Sequence, residues 1–113
     1  MATLTTQKIT RAGLEATYAS AAGGGDSFTP SANTLLHVKN AGAGDITVTI
    51  DTPGTAIADV ALANPAIVVT LAEERFIGPF PYSYFAQSND GLADITYSGV
   101  TSVTIAVFEL SQP

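Results

Sequence analysis

The sequence predicts an all-β fold: an antiparallel β-sandwich or small barrel of about seven to nine short strands, with an extended N-terminal arm. Three observations carry this. From Phe28 onward apolar residues recur with a period of two, turn signals fall roughly every 8–12 residues, and no segment sustains a helical period. The most helix-like stretch, residues 10–22, is alanine-rich but interrupted by Gly13 and closed by Gly23, Gly24 and Gly25.

Taken in order, residues 1–14 read as the arm and residues 15–113 as a single β domain. Residues 15–20 read as a first short strand, and the triple glycine as a flexible turn, since glycine gives up the most backbone entropy when ordered. Residues 34–40 alternate, with Leu36 and Val38 on one face and Leu35, His37 and Lys39 on the outer one. A glycine-containing turn at 40–44 leads to residues 45–51, where Ile46, Val48 and Ile50 face in and Thr47 and Thr49 face out. The two strands are expected to form a hairpin.

Pro53 and Gly54 break the pattern, and residues 55–62 read as a weaker strand. The β-branched run at 66–71 predicts a deeply buried strand. After a polar turn at 72–74, a strand from Arg75 ends near Pro79, because proline cannot donate to a ladder. Residues 82–87 read as an aromatic strand. Ser88, Asn89, Asp90 and Gly91 mark a reversal, since Asn, Asp and Gly tolerate positive φ. Residues 92–98 then put Ala93, Ile95 and Tyr97 on one face. Residues 102–110 put Val103, Ile105 and Val107 on one face and Thr104, Ala106, Phe108 and Leu110 on the other. Both faces of that last strand are apolar, so the second needs a cover.

Composition bounds the function. The chain has 113 residues and no cysteine, so disulfides and thiolate metal sites are excluded. A chain of this size buries roughly two-thirds of its unfolded surface, enough for a core without staples. No run reaches the ~18 apolar residues of a membrane span. The first ten residues hold no apolar stretch of signal-peptide length, which makes a cytoplasm the default compartment. Only 12% of residues are charged and the formal net charge is −6, against about 25% charged in ordinary soluble domains. A basic stripe for nucleic acid or an anionic membrane is absent. Sparse charge fits either a Thr/Ser-rich β surface or faces that meet neighbouring subunits.

Catalytic and metal-binding patterns are missing. His37 is the one histidine; as a catalytic base it would need an oriented nucleophile and a supporting carboxylate, and the expectation is a surface or interface histidine. Asp45 and Asp51 flank one strand and Asp90 and Asp94 another, but none has the spacing of a calcium loop, and they read as turn caps. Glu73 and Glu74 read as turn charges, with Arg75 available for a weak local pair. The three glycines lack the Lys-Ser/Thr of a phosphate loop. No catalytic residue, metal or cofactor is expected. The aromatic run Phe76, Phe80, Tyr82, Tyr84 and Phe85 fits core packing or, in a second reading, stacking on sugars.

The arm carries Lys8 and Arg11, half of all cationic side chains, with Leu4, Ile9 and Leu14 spaced among threonines. Extended termini of this kind can add a strand to another protein's sheet edge. The alternative is a frayed terminus.

The segments Arg75-Phe76-Ile77-Gly78-Pro79-Phe80, Asn89-Asp90-Gly91 and residues 93–110 (ADITYSGVTSVTIAVFEL) resemble small head decoration, or capsid auxiliary, proteins of tailed bacteriophages. The resemblance spans residues 67–110. It implies a non-catalytic virion protein, assembled in the host cytoplasm, that binds the major capsid protein on the outside of the head, often as a homotrimer. It implies an arm that augments capsid strands, here Leu4, Lys8, Ile9, Arg11 and Leu14. Phe108, Leu110, Tyr82 and Tyr84 are the candidates for contacts between subunits. A tail, head–tail joining or fibre component, and a carbohydrate-binding sandwich, are the alternatives.

Overall fold

A computed structural model describes residues 2–52, 55–57, 60–61, 64–87 and 90–110, with 55–57 and 60–61 described by their backbone. The described residues form two mixed five-stranded sheets packed face to face as a β-sandwich. Sheet A has the order β1 (Ala2–Thr3), β4 (Asp26–Phe28), β11 (Ala93–Tyr97), β6 (Ile46–Asp51), β9 (Ala66–Val69). Sheet B has the order β10 (Glu74–Ile77), β5 (Thr34–Asn40), β12 (Val103–Leu110), β2 (Thr6–Ile9), and β3 (Ala19–Ser20) also pairs with β12. A small ribbon joins β7 (Thr55–Ile57) to β8 (Val60–Ala61), with an irregular register.

The predicted alternation places the core. Ile46, Val48 and Ile50 of β6 point inward beside Ala93 and Ile95 of β11 and Phe28 of β4. Leu36 and Val38 of β5 meet them from sheet B, together with Val103, Ile105 and Val107 of β12. Each of the Val, Leu, Ile and Phe side chains among them contributes about 1.5–3 kcal/mol on full burial. One carboxylate sits among them: Asp26 accepts hydrogen bonds from the Tyr97 hydroxyl at 2.7 Å and the Ala22 amide at 3.2 Å. Burial, then the hydrogen bond to Asp26 and its charge, push the Tyr97 phenol well above its ordinary range.

Several expectations are corrected. Strands β5 and β6 are not a hairpin; they lie in different sheets, β5 pairing with β10 and β12, β6 with β11 and β9. The crossing is fastened by the side chain of Asn40, which is buried at the end of β5. Its Nδ2 donates to the carbonyls of Gly44 and Val69 at 2.8 and 3.0 Å, and its Oδ1 accepts from the Gly42 amide at 3.0 Å. These bonds curl the loop and carry the chain across to sheet A. β9 is the edge of sheet A and only alternately covered, with Val69 buried and Val68 exposed, rather than deeply buried.

The aromatic stretch at 82–87 is one helical turn, α1 (Tyr82–Phe85), not a strand. Pro81 starts it: its carbonyl accepts from the amides of Tyr84 and Phe85, and proline's fixed φ suits a helix start. Phe85 packs edge-on against Phe80, and Phe80 against Phe28, at 5.2 and 5.1 Å between ring centres. β10 ends before the cis Gly78–Pro79 bond, as the proline rule requires. The expected break at Pro53 and Gly54, and Ser88 and Asn89 of the expected reversal, lie outside the described residues. Gly91, within that reversal, has φ +73°.

Residues 2–9 of the expected arm are extended and paired, whereas a turn closed by the Gly13 amide on the Thr10 carbonyl interrupts its expected course to Leu14. β1 runs parallel to β4, β2 runs parallel to β12, and Leu4 packs against the core between them. These two parallel ladders make the sheets mixed rather than purely antiparallel.

Candidate interaction site

The outer face of sheet B gathers the functional candidates. Register puts His37 of β5 between Phe76 of β10 and Ala106 of β12, while Lys39 lies between Glu74 and Thr104. Ala106 is small, and Tyr18, just before β3, covers the space beside it. The Tyr18 ring meets His37 and Phe108 edge-on at 5.4 and 6.2 Å, and Lys39 Nζ stands 4.0 Å over its centre. Phe76 stacks flat on the imidazole at 3.9 Å and 10°.

His37 is therefore 4% exposed, although the alternation predicts a surface position. Its cover comes from Tyr18 and Phe76, which are distant in sequence. Both ring nitrogens are engaged: Nδ1 with the Tyr18 hydroxyl at 2.7 Å and Nε2 with Glu74 Oε1 at 2.8 Å. A neutral ring satisfies both if Nε2–H donates to the carboxylate and Nδ1 accepts the phenol proton. The chain Tyr18–His37–Glu74 resembles a proton relay in outline, with Tyr18 and Phe76 closing over the ring and the Glu74 side chain open to solvent. It is a knot that ties Tyr18, just before β3, to β5 and β10.

Beside the knot lies an apolar groove of about 370 Å³ lined by Leu35, Phe76, Ile77, Pro79 and Leu110 among others. Phe76 is 68% exposed and Leu110 56%. β10 is also the open edge of the sheet. The Asn40 amide donates to the Glu73 carbonyl, and strand alternation then turns the backbone groups of Glu74 and Phe76 outward. The Glu74 carbonyl accepts from the Arg75 guanidinium, which leaves the Glu74 amide and the Phe76 amide and carbonyl facing the edge.

The other predicted residues fall in three places. Leu4 and Ile9 are half-buried in the arm's pairing, and Lys8 is exposed and 3.7 Å from Glu109. Arg11 and Leu14 are exposed in the connection at 10–17. Phe108 is nearly buried beneath Tyr18, so within one subunit it is core-like, whereas Leu110 is open. Tyr82 and Tyr84 are exposed on α1 and do not line the groove. The aromatic run thus divides: Phe80 and Phe85 pack inward, and Phe76, Tyr82 and Tyr84 face out. The signal for Phe76 was its alternation with Ile77, which the aromatic character of the run obscured.

The aspartates act mainly at turns. Asp45 and Asp90 accept the amides of Leu71 and Leu92. Asp94 and Asp51 are direct cross-strand partners. Burial, with the charges of Asp90 and Asp51, raises the Asp94 carboxyl above its ordinary value. Among the described residues no group of three His, Cys, Asp or Glu side chains is placed to hold a metal. No described helix is long and apolar enough to cross a membrane.

Compared with protein-family models, with curated proteins and with solved structures, the chain finds no match.

Proposed function

We propose that the chain is a bacteriophage capsid decoration protein, a non-catalytic homotrimer that binds the major capsid protein on the outer surface of the head and stabilises it. The observation that carries this reading is the exposed apolar groove at Phe76 and Leu110, set against an open strand edge in a chain with only 12% charged residues. A cement needs such a surface: apolar contact supplies affinity, free backbone groups set register, and many copies multiply a modest contact.

The test is binding to expanded empty capsids. Phe76→Lys and Leu110→Lys place charges on side chains worth about 1.5–3 kcal/mol each when fully buried. Each is expected to weaken attachment about 10- to 100-fold while far-UV circular dichroism stays unchanged. Undiminished attachment by the double variant, or electron-microscopic labelling on the tail, would refute the reading.

A second reading, a sugar-binding sandwich, draws on the exposed rings of Tyr82 and Tyr84. Glycan-array binding that disappears in Tyr82→Ala and persists in Phe76→Lys would favour it.

A further inference from the structure

We propose that the N-terminal segment, residues 2–9, exchanges between copies of this chain, each arm taking in a neighbour the seat it takes in its own body. The inference is independent of the capsid reading. The arm forms an edge on both sheets at once, β1 on β4 and β2 on β12. Half of it is surface: Ala2, Thr3, Thr5 and Lys8 are exposed, and Leu4 alone packs against the core. Withdrawing it opens two strand edges and uncovers the cleft of about 460 Å³ that it lines with Ile105, Ala106 and Val107. Paired edges of this kind demand a replacement strand.

The best replacement is another copy's arm, because it restores the same hydrogen bonds in the same register at no cost in contacts. Charge favours it. Of the net charge of −6, the exchanging residues 2–9 contribute +1 through Lys8, and the rest of the chain −7. Every body therefore attracts any arm, its own or a neighbour's, and repels other bodies less once an arm bridges them.

The connection permits it. Residues 10–17 are all exposed and unpaired in either sheet, and Gly13 sits at φ +93°. The Gln7 side chain ties the end of this connection, donating to the Thr17 carbonyl at 2.7 Å and accepting its amide at 2.9 Å. Ile9 lies opposite Leu110 and Ala19 opposite Ile105 on the same edge of β12, a separation of about 17 Å. The ten Cα–Cα steps from Ile9 to Ala19 can span roughly 33–36 Å. Deleting residues 11–16 leaves a reach of about 14 Å, too short for the chain's own seat, while a neighbour's seat needs no return.

The chain has no cysteine, so engineered thiols report cleanly. Thr3 and Ser27 are cross-strand partners with hydroxyl oxygens 3.3 Å apart, within reach of a disulfide. A Thr3→Cys chain and a mass-tagged Ser27→Cys chain would be unfolded together, refolded at high concentration and oxidised. Exchange is expected to give a disulfide-linked heterodimer, and the deletion variant is expected to elute as an oligomer with a native-like β spectrum. Absence of the heterodimer, while the chain carrying both substitutions forms only its internal link, would overturn the proposal. So would a deletion variant that is folded and monomeric. If that variant does not fold, the mixed-thiol experiment decides alone.

Discussion

Asn40 offers the sharpest test of how the two sheets are joined, through the pair Asn40→Ala and Asn40→Asp. The native amide makes three hydrogen bonds, two as donor to the Gly44 and Val69 carbonyls and one as acceptor from the Gly42 amide. A net bond is worth about 0.5–1.5 kcal/mol, and a buried group left unpaired costs about 1–3 kcal/mol. Gly42 and Gly44 lie in a loop that water can reach, whereas the Val69 carbonyl bond is buried. Alanine should therefore cost about 2–4 kcal/mol.

Aspartate keeps the shape and reverses the logic. It replaces the donor by an oxygen facing two carbonyl oxygens, so the ionised form is repelled and desolvated, at a cost of about 3–5 kcal/mol. The introduced carboxyl then has a folded-state pKa above its unfolded value near 4. The folded state binds the proton more tightly, so stability falls as pH rises from about 4 through that raised pKa, and recovers on acidification. Protonated, the group can donate to one carbonyl.

Urea melts followed by far-UV circular dichroism and tyrosine fluorescence measure both variants. With a slope of about 1–3 kcal/mol per molar, a loss of about 3 kcal/mol lowers the midpoint by about 1–3 M. Aspartate should be worse than alanine at pH 7 and approach it near pH 3.5. A change below about 0.5 kcal/mol for alanine, or a pH-independent aspartate variant, would refute the assigned role.

Two further outcomes are expected. Asp94→Asn should stabilise the fold at pH 7 by about 0.2–1 kcal/mol, the cost of like charges directly opposed on neighbouring strands. The raised pKa means the ionised form is disfavoured in the fold, so thermal melts should show the advantage shrinking as pH falls through that raised pKa and gone below the unfolded value of about 4, and an advantage that grows on acidification would contradict the reading. Gly78→Ala should destabilise by about 1–3 kcal/mol, because a Cβ there would meet the Thr34 carbonyl oxygen at 2.9 Å and Leu35 Cα at 3.1 Å. Differential scanning calorimetry reads this directly, and an unchanged Tm would show that β5 yields without cost.

The candidate site was only partly legible in the sequence. Tyr18 supplies part of the cover that the apolar second face of β12 was expected to need, over Phe108, while Leu110 on the same face is open. Phe76 was visible as an aromatic residue and invisible as an exposed one. Its exposure depends on β10 lying at an edge, and the edge depends on which strands pair. His37 was assigned to the right face of β5, yet that face is roofed by rings 19 and 39 positions away in the chain.

The sequence alone determined what local stereochemistry controls. Alternation marked the inward faces of β5, β6, β11 and β12, because successive side chains on a strand point to opposite sides. Proline ended β10, and the absence of a sustained helical period excluded helical layers. Tertiary structure decided the partners. Whether β5 folds back on β6 or crosses to the other sheet turns on the ladders each strand finds, β5 with β10 and β12 and β6 with β11 and β9, and whether the arm projects or pairs turns on two strand edges assembled from distant residues. Those choices are set by non-local hydrogen bonds and core contacts, which a period of two along one strand does not encode.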